Sequence, residues 1–149
     1  MNRLSFEQVL DREGRLIYTN VGTSMLPLIR QGRDLMIIEK PHGRLKKYGV
    51  PLYKRNDGKY VLHRILKVRD NDYVICGDHC WRKEYGITDD HIIGELVGVV
   101  RNGQEISLDS WKCKLYAHLW CDFFPVRVII LRGTGVIRRI WRKVCDIIR

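Results

Sequence analysis

Three side chains in this sequence have the right types for acyl transfer: Ser24, His63 and Asp78. A serine hydroxyl is a weak nucleophile until a nearby base takes its proton. A carboxylate can hold that base in the required tautomer. Ser24 stands in Gly22-Thr23-Ser24-Met25-Leu26-Pro27, with Gly32, Arg33 and Asp34 behind it. Gly22 allows a sharp turn and a close backbone approach, and Pro27 keeps the segment out of a helix interior. The turn places the hydroxyl at a strand end, where backbone N–H groups can face a reacting carbonyl. His63 lies in the β-rich run Lys59 to Leu66, after the turn pair Asp57-Gly58, and Asp78 closes the apolar run Tyr73-Val74-Ile75-Cys76-Gly77. Glu84 and Asp89 are rival acids. Each stretch alone is a weak signal, because a Ser between Gly and Pro is commonly just a turn residue. His42, His79, His91 and His118 have no such setting. Arg64 alternates to the face opposite His63 and reads as an ion-pair partner. Asp34 reads as a support for the loop after Ser24, and Met25 and Leu26 as wall or core.

These groups must be held by strands. β-branched and aromatic runs separated by turn residues predict strands near 15–21, 34–39, 50–54, 59–69, 72–76 and 94–100. Asn102-Gly103 is a two-residue hairpin signal joining 96–101 to 104–107. Ser5 can cap a short helix running to Leu10. The expected fold is mainly β, a coiled or barrel-like antiparallel domain over 1–109, followed by C-terminal α-helices in a basic tail, 110–149. In the tail Trp111, Leu115, Leu119 and Phe123 recur at helical spacing. Pro125 interrupts the pattern and Gly133-Thr134-Gly135 breaks it. A second stripe, Val136 to Ile148, then faces Arg138, Arg139, Arg142, Lys143 and Arg149.

The length, 149 residues, suits one core. The net charge of +10 is uneven: +3 over 1–109, +1 over 110–125 and +6 over 126–149. The excess suits an anionic surface: the tail reads either as a basic amphipathic helix in a membrane interface or as a helix packed on its own domain with a solvated basic face, and nucleic acid is the poorer fit. The longest apolar region, 115–131, contains His118, Asp122, Pro125 and Arg127, so it is not expected to span a bilayer. Met1 to Leu10 is polar and does not read as a secretory leader. Five cysteines at 76, 80, 113, 121 and 145 match no zinc or redox template. They read as reduced thiols of a cytoplasmic chain, peripheral to a membrane where the tail docks on one, with no metal and no cofactor expected.

The combination G-T-S-M-L-P at 22–27, V-L-H-R at 61–64, C-G-D at 76–78 and I-I-G-E at 92–95 resembles the type I signal peptidase superfamily, which includes the LexA-like self-cleaving repressors. The resemblance covers roughly 16–100. His63-Arg64, 39 positions after Ser24, is similar to the His-base branch found in the endoplasmic reticulum and archaea. The resemblance implies a serine endopeptidase with Ser24 as nucleophile, His63 as general base and Asp78 as acid. It also implies cleavage of an extended peptide or precursor protein after a small residue. Signal peptidases usually carry a Ser two positions before the nucleophile. Gly22 stands there instead, as in the LexA-like branch, so an oxyanion hole must use backbone N–H groups such as that of Ser24. No DNA-binding domain precedes the motif and no Ala-Gly pair is present, which disfavours a self-cleaving switch. The alternative is a non-catalytic module binding a membrane surface or nucleic acid through the basic tail.

Overall fold

Ser5 opens the first helix through a reciprocal cap. Its hydroxyl accepts from Gln8 N at 3.2 Å, and Gln8 Oε1 accepts from Ser5 N at 2.9 Å. The helix, α1, covers Phe6–Glu13 and buries Leu10. It ends at Gly14, whose φ of 69° is a left-handed conformation that a side chain would disfavour. The structure, a computed structural model, describes residues 4–19 and 21–134. The basic stretch expected to form a second tail stripe, 136–148, lies outside the described residues.

Nine strands follow: β1 Arg15–Thr19, β2 Leu35–Glu39, β3 Pro51–Lys54, β4 Tyr60–Leu62, β5 Arg64–Val68, β6 Tyr73–Cys76, β7 Glu84–Ile87, β8 Ile92–Arg101 and β9 Gln104–Ser107. All their pairings are antiparallel. One sheet has the order β1-β2-β8-β3-β4, with β9 also on β8, and curls into a half-barrel. A second sheet is β5-β6-β7. Register shifts at Ile37/Ile38 and Leu52/Tyr53 mark bulges where β2 and β3 meet the long β8, and bulges bend strands. Asn102 and Gly103 both take positive φ, as the type I′ hairpin between β8 and β9 requires.

The run predicted as one strand over 59–69 is two. The chain leaves the first sheet after Leu62 and enters the second at Arg64, with His63 at the crossing. This transfer aims His63 and Arg64 in different directions. β7 had no counterpart in the sequence reading.

Two apolar clusters form the core. Leu10, Met25, Ile29, Ile38, Leu52 and Val99 belong to the one inside the half-barrel. Tyr53, Ile65, Tyr73, Ile75 and Ile87 belong to the one between the sheets. Met25 and Ile29 are fully buried, so the Ser24 loop is pinned from its far side.

After β9 the chain is helical: α2 over Trp111–Asp122, capped by Ser110, then α3 over 124–134. Pro125 falls in the first turn of α3, where its missing N–H costs nothing. Gly133 and Thr134 remain helical, so the break expected at 133 does not occur there. α2 buries Ala117 and Cys121, not the Trp111-Leu115-Leu119-Phe123 stripe, which is exposed. Among the described residues no helix is long and apolar enough to cross a membrane.

Candidate active site

Ser24 and His63 line the same groove, a cavity of about 410 Å³ between β1 and β4. Leu16, Tyr18 and Thr19 form one wall, and Tyr60, Val61 and Leu62 the other. β1 and β4 are the two ends of the sheet order, so among the described residues both walls present an unpaired strand edge. The Ser24 N–H donates to no backbone carbonyl among the described residues. Its carbonyl, in contrast, accepts from His79 N at 2.7 Å, which ties the serine loop to the segment after β6.

Gly77 sits where these parts meet. A Cβ built there would stand 2.7 Å from the Ser24 carbonyl oxygen and 2.9 Å from His63 Nε2. The serine residue and the ring nitrogen that would take its proton thus share one small space, left open by the absence of a side chain. In the sequence Gly77 stands out only as the middle of the C-G-D stretch at 76–78. Gly77→Ala forces the serine loop or the imidazole aside. A displacement of about 1 Å at a reacting centre can cost about 100-fold in rate, so a hydrolase working through these two groups would lose activity of that order. The loss should come with a lowered melting temperature, because the backbone carbonyl cannot swing away. Wild-type turnover by Gly77→Ala would show that the space is not needed.

The other face of His63 decides its tautomer. Nδ1 lies 2.8 Å from Glu84 Oε1 and 3.3 Å from the Tyr53 hydroxyl. A carboxylate can only accept, so Nδ1 carries the proton and Nε2 is left with the lone pair, on the ring edge beside Gly77. Glu84 is itself fixed by a fork from Arg55, Nε to Oε2 at 2.8 Å and Nη2 to Oε1 at 2.5 Å. Burial opposes ionisation of Glu84. The Arg55 hydrogen bonds and the nearby imidazole outweigh it and hold the carboxyl below its ordinary range. Burial pushes the His63 pKa below the usual histidine value, and Glu84 recovers only part of that. Neutral imidazole is therefore the resting form at neutral pH. The neighbouring lysines are engaged elsewhere: Lys54 pairs with Glu7, and Lys59 with Asp57.

No protein-family model matches this sequence, and no curated protein or solved structure matches it.

The carboxylate on the His63 ring is that of Glu84, and Asp78, the expected acid, lies elsewhere. Asp78 does not meet the His63 ring nitrogens. Its carboxylate is buried against Arg64, Nε to Oδ1 at 2.9 Å and Nη2 to Oδ2 at 2.8 Å, and takes a third bond from the Tyr116 hydroxyl at 3.0 Å. Trp120 Nε1 donates to the Asp78 carbonyl at 2.7 Å, while Arg127 donates to the carbonyls of Gly77 and Cys80. Asp78 thus anchors the segment that carries Gly77. Asp89, the other rival, is held by the Tyr73 hydroxyl and faces Arg44. Arg64 is the ion-pair partner expected of it. Asp34 is buried and accepts from Arg30 N at 2.9 Å and from Arg101 Nη2 at 2.6 Å, while Arg101 also binds the Leu28 carbonyl. That fixes the loop after Ser24 as its sequence position suggested. Arg55 and Tyr53 escaped the sequence reading. Their only signal was placement on the strand and turn just before His63.

α2 and α3 are bound to this site by their inner side, through Tyr116, Trp120 and Arg127. Among the described residues no group of His, Cys, Asp and Glu side chains could hold a metal ion.

Proposed function

We propose that this protein is a serine endopeptidase of the signal-peptidase and LexA kind, with Ser24 as nucleophile, His63 as general base and Glu84 as the carboxylate that orients it. The observation that carries this reading is the His63 ring: Glu84 holds its Nδ1, its Nε2 edge lies beside Gly77 close to the Ser24 backbone carbonyl, and Ser24 and His63 line one groove. An extended peptide lies between the β1 and β4 edges and borrows their free backbone groups. Ser24 Oγ attacks the scissile carbonyl and its proton passes to His63 Nε2. The N–H of Ser24 is free to meet the developing oxyanion. The imidazolium then gives its proton to the leaving amine, and water hydrolyses the acyl-enzyme using the same base. The Ser24 hydroxyl makes no hydrogen bond to His63 in this structure, and such bonds commonly tighten only when substrate is present. Preference for a small residue before the cleaved bond rests on the family resemblance.

A fluorophosphonate probe tests the reading directly. It should label Ser24, located by peptide mass spectrometry, and the label should vanish in Ser24→Ala. The labelling rate should rise with pH through an apparent pKa below about 6.5, because the base reacts only as neutral imidazole and burial lowers its pKa. The rate should then stay level through neutral pH. An onset above pH 8 would assign the base to a lysine and overturn the role of His63.

A further inference from the structure

Seven large apolar side chains stand in solvent along one outer side of α2 and α3, among them Trp111, Leu115, Leu119, Phe123, Val126 and Ile129. Trp111 and Ile129 are each 70% exposed. This is not the face that packs on the β-domain. The opposite side does that, through Tyr116, Ala117, Trp120, Cys121 and a fully buried Arg127. A helix ordinarily buries its apolar stripe, and a contiguous exposed stripe marks a surface with a partner.

The charges around the stripe say which partner. Lys112 is exposed with its Nζ 5.7 Å from the centre of the Trp111 ring, and Arg132 is exposed on α3. The acids nearby are already engaged: Asp122 binds Lys47 and Tyr48, and Asp109 binds Lys114. By sequence, residues 111–134 carry a net +3 and residues 135–149 a net +4. A second copy packed face to face would set a cationic rim against an identical one. Residues 135–149 folded over the stripe would do the same. An anionic lipid surface satisfies both features at once, taking the apolar residues into its interface and the cations at its headgroups.

We propose that the outer face of α2 and α3, from Trp111 to Ile129, docks on anionic membrane surfaces. This surface differs from the basic 136–148 stripe indicated by the sequence, and it does not depend on the peptidase reading, since the test reads binding alone.

The full-length protein is mixed with phosphatidylcholine vesicles, with and without phosphatidylglycerol, and bound protein is measured by co-sedimentation. Tryptophan emission is followed in parallel. The parent should bind the anionic vesicles, with emission shifting to the blue, and binding should weaken as salt rises. The triple variant Leu115→Gln, Leu119→Gln, Ile129→Gln changes only exposed positions. It should keep the parent's circular dichroism and melting temperature while binding at least about tenfold less. Equal binding by the triple variant would overturn the proposal and locate any lipid contact elsewhere, for instance in 135–149. Failure of the parent to bind anionic vesicles would overturn it as well. So would a parent dimer in sedimentation velocity that the triple variant dissolves, since a second copy would then be the occupant.

Discussion

Ser24→Ala and His63→Ala should each reduce peptide hydrolysis by about 10⁴-fold or more, and the double variant should be no slower than either single one. The reason is chemical. Without the hydroxyl no acyl-enzyme forms, and without the imidazole the hydroxyl keeps its proton, so either loss disables the same step. A merely structural pair would behave differently, since two independent destabilisations add. Neither change should disturb the core. Ser24 is only half-buried, and the anchoring of its loop comes from Met25 and Ile29. His63 is buried, so His63→Ala leaves a small cavity beside Tyr53. His63→Gln is the companion variant, filling the space without a base, and it should be as inactive while melting closer to wild type. Turnover within tenfold of wild type in any of these variants would remove the substituted residue from the catalytic pair.

The parts of this site differ in how clearly the sequence announced them. Ser24 and His63 stand out as candidates because each sits in a short pattern whose local geometry is nearly forced: Gly and Pro around one, an apolar strand around the other. The strands behind them were equally visible, and so was the Asn102-Gly103 hairpin, because alternation and turn chemistry are local. The acid was not. Whether Asp78 or Glu84 reaches His63 depends on the strand break at His63 and on the path from β6 to β7, and both are tertiary facts. β7 itself, Glu84-Tyr85-Gly86-Ile87, has a glycine at φ 74° and only one fully buried residue, so it lacks a strand's usual pattern. The helical stripe at 111–123 correctly announced a helix but not its inner face. That face is chosen by Tyr116, Trp120 and Arg127, whose polar tips find buried partners on the Gly77-Asp78 segment.

Asp78 and Glu84 should therefore fail in opposite ways. Arg64 and Asp78 form a bidentate pair with side chains 3% and 0% exposed. Asp78→Asn leaves the guanidinium buried without its counter-charge, a change that typically costs about 3–5 kcal/mol. For a chain of this size that corresponds to a melting temperature lower by roughly 10 °C or more. Below that temperature the folded fraction should still turn over, because His63 keeps its own carboxylate. Arg64→Met with Asp78→Leu, which removes both charges together, should recover part of the lost stability. Glu84→Gln should do the reverse. Its pair with Arg55 is partly exposed, so stability should change little. The neutral amide no longer compensates the imidazolium and can present its NH₂ to Nδ1, which favours the wrong tautomer. Loss of the carboxylate behind a catalytic histidine is worth up to about 10⁴-fold in kcat. Thermal unfolding and steady-state kinetics on the two single variants separate the roles. A stable, inactive Asp78→Asn beside an active Glu84→Gln would return the acid to Asp78. Two inactive but stable variants would mean that both carboxylates act on the base.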